Sequence, residues 1–196
     1  MADTVRLRVA HYMLEMSERP AAPEPHPRVE IRRTGRPVPS LNRFFYMAIG
    51  SNWLWASRVP WSHDQWREWV TQPGYSTWIG YVDGGPAGIC DVIQHDPETA
   101  EIRYFGLLSE FIGEGVGLPF LRLGIQAAWS EPTTTLVKVD TCSLDHPRAL
   151  GNYQAAGFEL VRTEHEIEEV PAAPLEPWPG SGIVPASGPA DHPWAD

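Results

Sequence analysis

The stretch "GEGVGLP" at residues 113–119 sets three glycines at alternate positions ahead of an apolar run with helical spacing. Glycines so placed let a backbone approach a ligand closely, and a helix start adds free N–H groups and the positive end of its dipole. An anion suits such a point. Ordinary turns close with the same pattern, so a phosphate loop and a tight turn both stand on this stretch alone. Glu114 puts a carboxylate among the glycines. Pro119 lacks an N–H, but in a first helical turn that group has no partner within the helix. A Rossmann site does not fit, because the loop follows a run of strands and no acidic residue comes on schedule after it. The absence of Gly-Lys-Ser/Thr excludes a Walker loop.

A second stretch, "DTCSLDH" at 140–146, offers nucleophile chemistry. Cys142 as nucleophile, His146 as base and Asp145 or Asp140 as orienter would give a covalent acyl-enzyme or a hydrolase. Against it, Cys142 closes an inward-facing strand pattern, where a free thiol packs as a small apolar group. As a metal site the cluster is weaker still, since a lone Cys-x-x-x-His lacks the companion pair, and no metal is expected. Six of the nine tryptophans fall between Trp53 and Trp78. Trp66 and Trp69 share a helical face and read as core. Trp53 and Trp55, in a loop, could wall a pocket for a cationic or apolar group.

The elements that must position these residues follow from periodicity. Residues 5–16 alternate as a strand and 29–33 suit a short edge strand, with a proline-rich connector between them. Helices are expected over 40–50 and 62–72, the second opened by the Ser62/Gln65 capping box and stopped by Pro73-Gly74. Three antiparallel strands over 75–83, 87–94 and 100–108 are separated by turn residues. A helix over 118–130, a strand over 135–143, a helix over 146–158 and a strand over 158–170 complete the pattern. The order implies an α/β (α+β) fold with a mixed, mostly antiparallel central sheet flanked by helices, the last crossover returning its strand parallel. Residues 1–39 are expected to form a strand and connector belonging to or packed on a domain of 40–170. Residues 171–196 hold seven of the twenty prolines and read as a tail.

"RYFGLLSEFIGEGVGLPFL" followed by "LVKVDTCSLDHPRALGNYQAAGFELV" resembles the GCN5-related N-acetyltransferase superfamily over roughly residues 40–165. In that family a Q/R-x-x-G-x-G/A loop cradles the pyrophosphate of acetyl-CoA. The register here gives Ile112, Gly113, Glu114, Gly115, Val116 and Gly117, continuing to Leu118. A later N-x-x-A-x-x-x-Y-x-x-x-G-F signature maps onto His146, Ala149, Tyr153, Gly157 and Phe158. The chain departs from the pattern at Ile112, where the family has Gln or Arg, at Glu114, often a basic residue, and at His146, where the family has Asn. Backbone donors survive all three changes, because glycine placement builds the loop.

The resemblance implies an N-acetyltransferase using acetyl-CoA, with direct attack of a small-molecule or peptide amine on the thioester. An alkylammonium, with pKa near ~10, must first lose a proton to a carboxylate, and Glu101 is the first candidate. Tyr153 stands where the family often places the acid that protonates the leaving thiolate. Backbone N–H groups of Leu107 and Leu108 would polarise the thioester carbonyl and contact the pantetheine arm. The alternative from another class is a non-catalytic acyl-CoA-binding or interaction module with a degenerate site.

At 196 residues the chain can bury a real core. A net charge of −10, with Lys138 the single lysine and the arginines dispersed, argues against nucleic acid. No run of ~20 apolar residues suggests a membrane span and the start lacks a secretion-signal order, so a cytoplasmic location is expected. Cys90 and Cys142 make no disulfide framework, and a homodimer is compatible with the sequence.

Overall fold

The structure, a computed structural model, describes residues 4–172, 175–176 and 178. Its elements in chain order are β1 (Thr4–Met16), β2 (Val29–Arg33), α1 (Pro39–Gly50), α2 (His63–Thr71), β3 (Tyr75–Val82), β4 (Gly85–Gln94), β5 (Thr99–Leu107), α3 (Gly117–Ala128), β6 (Leu136–Cys142), α4 (Ala149–Ala155) and β7 (Glu159–Pro171). The capping box forms: the Gln65 N–H donates to Ser62 Oγ at 3.3 Å while the Ser62 N–H donates to Gln65 Oε1 at 2.9 Å. The tail expected over 171–196 lies mostly outside the described residues. Of those described, the Leu175 N–H donates to the Ser51 carbonyl at 3.1 Å and Trp178 stacks on the exposed Phe44 of α1.

One seven-stranded mixed sheet runs in the order β2-β3-β4-β5-β6-β1-β7, with β5 and β6 its parallel pair. Helices α3 and α4 cover one face, where Phe120, Leu121, Ile125 and Tyr153 pack on Val92, Ile102, Val137 and Val139. Helix α1 covers the other through Phe45 and Ile49 against Ile79 and Ile89.

The last crossover returns β7 parallel to β6, but β1 fills the slot between them and runs antiparallel to both, a placement the sequence reading did not give. Leu14 and Met16 bury into the α3–α4 face while Val9 buries with Leu54 on the other, so β1 has the two-sided burial of an inner strand. Helix α4 differs from the sequence reading in being shorter than 146–158. The Asp145 carboxylate accepts from Thr141 Oγ1 at 2.6 Å and from the Cys142 N–H at 3.1 Å, which holds residues 143–148 in turns.

The sheet opens where β5 and β6 part. Their pairing runs from Thr99 opposite Leu136 only to Ile102 opposite Val139. Beyond it Arg103–Leu107 and Asp140–Cys142 diverge without a ladder between them. At the same level β5 bulges: Asp91 faces Tyr104 and Val92 faces Ile102, leaving Arg103 as the extra residue. The result is a fork in the middle of the sheet.

Candidate active site

The glycine loop lies at the open end of the fork. Gly113 (φ 90°) and Gly115 (φ 78°) both take left-handed conformations, and a Cβ at either would meet nothing within 4 Å. Glycine is therefore required for backbone shape there, and the space beside it is open. Val116 is buried and ends the loop as the residue before α3. The first bond of the helix runs from the Phe120 N–H to the Val116 carbonyl at 3.0 Å, which places Pro119 in the first turn. Among the described residues no side chain caps α3. Among the described residues, the N–H groups of Gly113, Glu114, Gly115, Val116, Gly117 and Leu118 have no hydrogen-bond acceptor. Six consecutive free donors at a helix start form a nest for an anion.

Two neighbours expected to donate do not have a free N–H. That of Ile112 goes to the Ser109 carbonyl at 3.1 Å, and the Ile112 side chain packs beside Phe45 and Ile49. That of Leu108 goes to the Ala87 carbonyl at 2.8 Å. Since N–H groups alternate between the edges of a strand, the Leu107 and Phe105 groups point instead into the fork.

Glu114 does not confront the loop's donors alone. Arg28, from the connector ahead of β2, donates to Glu114 Oε2 at 2.7 Å and to both oxygens of Asp83 at 2.9 and 3.1 Å. One guanidinium thus ties the β3–β4 turn to the loop and offsets the Glu114 charge. The sequence gives no signal of this contact, because Arg28 and Glu114 lie far apart in the chain.

Glu101 sits on β5 opposite Lys138, below the point where the fork opens. Six strand residues, ~20 Å, separate it from Leu107 at the loop end. Its carboxylate accepts from Arg103 at 3.0 Å and lies 2.7 Å from His95 Nε2. Asp140 is the first β6 residue past the last pair with β5. Burial, then the neighbouring charge of Glu101, raises its carboxyl above the usual range.

Tyr153 is buried on α4, edge-on to Phe158 and near Phe105. Its hydroxyl has no hydrogen-bond partner among the described residues, and burial raises its pKa, keeping the proton in place at neutral pH. His146 lies just ahead of α4, its Nδ1 accepting from the Arg148 N–H at 3.1 Å and its ring 5.1 Å from that of Trp53.

The Cys142 nucleophile reading loses its parts here. Burial pushes the Cys142 thiol up to about 11, and Asp145 holds Trp55 Nε1 at 3.1 Å as well as Thr141 and Cys142. Asp145 is thus an anchor between the α1–α2 loop and β6. Trp66 is core, Trp53 is buried, and Trp55 packs against Tyr46 and Tyr104. Arg58 lies instead against the rings of Trp61, Trp69 and Tyr104.

No protein-family model and no curated protein sequence matches the chain, so the likenesses found are structural. A GCN5-related N-acetyltransferase from Sphaerobacter thermophilus superposes with a TM-score of 0.59 at 16% identity, covering 89% of this chain and 55% of its own. A GNAT-family acetyltransferase, described as putative, from Novosphingobium aromaticivorans gives 0.55 at 16%, covering 88% and 68%. A GCN5-related N-acetyltransferase from Kribbella flavida gives 0.55 at 16%, covering 87% and 60%. A conserved protein of unknown function from Staphylococcus epidermidis gives 0.53 at 17%, covering 86% and 63%. This chain therefore spans less than two thirds of the length of several of these structures. Its mixed α+β architecture is that of the GCN5-related N-acetyltransferase fold.

Proposed function

We propose that the chain is an acyl-CoA-dependent N-acyltransferase that moves an acetyl group to a primary amine. The observation that carries this reading is the row of six unpaired N–H groups at the start of α3, placed where the β5–β6 fork opens. The loop fits a pyrophosphate: its donors are unspent, its glycines leave open space, and Arg28 engages its one carboxylate. Gly113 to Leu118 would hold the diphosphate, and the Leu107 N–H faces the fork, where it can meet an acyl carbonyl.

The bound thioester supplies an activated acyl carbon. The chain's residues manage two protons. A carboxylate on the α1–α2 face of the fork takes one from the acceptor nitrogen, with Glu101 as first candidate and Asp140 beside it. The amine lone pair then forms the C–N bond, and the C–S pair leaves as thiolate. Tyr153 donates the second proton to that sulfur, for which a buried, protonated phenol without a partner is suited.

Calorimetric titration with CoA, joined to a thiol-release assay with acetyl-CoA across an amine panel, tests the reading. Binding together with amine-dependent release of CoA supports it. Binding with no release from any amine favours a non-catalytic acyl-CoA-binding module, for which the paired state of Glu101 is the supporting observation. No binding removes both.

A further inference from the structure

Arg58, in the loop between α1 and α2, is held by aromatic faces and, among the described residues, has no counter-ion. Its guanidinium carbon lies 4.6 Å from the Trp61 ring centroid, 4.4 Å from that of Trp69 and 5.2 Å from that of Tyr104. Among the described residues its side chain makes no ion pair and no hydrogen bond; its buried Nε is unpartnered, and only the backbone N–H donates, to Tyr46 Oη at 3.3 Å. The Tyr104 side chain beside it also lies against Arg103, and burial pushes its hydroxyl pKa up to about 12. The carboxylates nearby are committed: Glu101 to Arg103 and His95, Asp91 to Tyr75 and Asn42.

Arg58 is half-buried with its Nε enclosed, and a partly desolvated guanidinium normally has a carboxylate partner. Ring faces stabilise its charge but leave its N–H edge unused, and that planar edge fits a carboxylate bidentately. The position matters as well. Tyr104 stands on the part of β5 past the last pair with β6, opposite Asp91, on the face covered by α1 and α2. The caged arginine therefore borders the fork on the side an acceptor would enter.

We infer that the acceptor amine carries a carboxylate, which docks on the Arg58 guanidinium while the amine reaches the fork. The cation against this aromatic wall belongs to the chain, so the wall orients an anion-binding arginine rather than enclosing a substrate ammonium. The inference rests on the N-acyltransferase reading and deepens it by naming the acceptor class as amino acids.

The test compares glycine, β-alanine, 4-aminobutyrate, 6-aminohexanoate and the twenty protein amino acids with n-alkylamines and 1,4-diaminobutane as acetyl acceptors. The best acceptor is expected to bear a carboxylate. Arg58→Met, which keeps the packing volume, should raise its KM by ~30-fold or more with kcat and CoA affinity little changed. Arg58→Lys should recover part of that loss. Efficient use of n-alkylamines or the diamine, or an unchanged KM in Arg58→Met, overturns the inference while leaving the transferase reading intact. If no amine is acetylated, tryptophan fluorescence titrated with the N-acetyl derivatives of the same amino acids decides it independently. Saturable binding lost in Arg58→Met sustains the carboxylate site, and no binding overturns it.

Discussion

At the scale of single residues, the proposed chemistry divides between groups that hold protons and groups that hold the loop. Tyr153→Phe removes one oxygen from a packed ring and leaves the α3–α4 core otherwise filled. It should lower kcat by ~10²-fold or more while CoA affinity stays near that of the parent, the range in which general acids contribute. Unchanged turnover would exclude the hydroxyl from the mechanism. Glu101→Gln and Asp140→Asn, compared across pH, separate the two candidate bases, since only loss of the true base should abolish the acidic limb of the kcat/KM profile. Arg28→Ala frees the Glu114 carboxylate beside six unpaired N–H groups. CoA binding should weaken, most at low salt, and Glu114→Gln in the same chain should restore it. Affinity indifferent to both changes would mean that the Glu114 charge never reaches the cofactor.

At the scale of elements, the fork depends on how closely helices approach the strands beside it. A Cβ at Gly106 of β5 would lie 2.5 Å from Ile49 Cγ2 of α1, too close to be accommodated without movement. Gly106→Ala should cost about 1–3 kcal/mol of stability by overpacking. Ile49→Ala should be destabilising alone yet partly rescue Gly106→Ala, a coupling that urea unfolding of the four chains would measure. Additive losses would show that α1 can shift without strain. Much of this layer was legible beforehand: the capping box at Ser62, the turn residues between β3, β4 and β5, and the glycine loop before α3 are local signals that read the same in the chain and in the fold. What could not be read there is non-local. Nothing in "VRLRVAHYMLEM" says that β1 slots between β6 and β7, and nothing near Ile102 announces where β5 and β6 part. The Arg28–Glu114 contact and the Arg58 cage are likewise made by tertiary packing across long sequence separations.

At the scale of the whole molecule, the net charge of −10 sits largely on solvated faces, and among the described residues no helix is long and apolar enough to cross a membrane. One acidic group is different. Asp91 is buried on β4 beneath α1, accepting from Tyr75 Oη at 2.6 Å and from Asn42 Nδ2 at 3.1 Å. Burial raises its carboxyl to about 6, and the hydrogen bonds from Tyr75, Thr77 and Asn42 only partly oppose that rise. In the unfolded chain the same group titrates near ~4. Between those values the folded state binds the extra proton, so this group's contribution to stability is present at low pH and is lost as pH rises through about 6. The loss is on the order of 3 kcal/mol. Carboxylates held down by partners, such as Asp83 beside Arg28, act in the opposite sense. The contribution of Asp91 therefore shows in a difference: Asp91→Asn relative to the parent should become progressively more stable as pH is raised from 4 to 7, measured by urea unfolding at each pH. A difference that stays flat over that range would mean that Asp91 is ionised in the folded protein throughout, its charge carried by the hydrogen bonds of Tyr75 and Asn42.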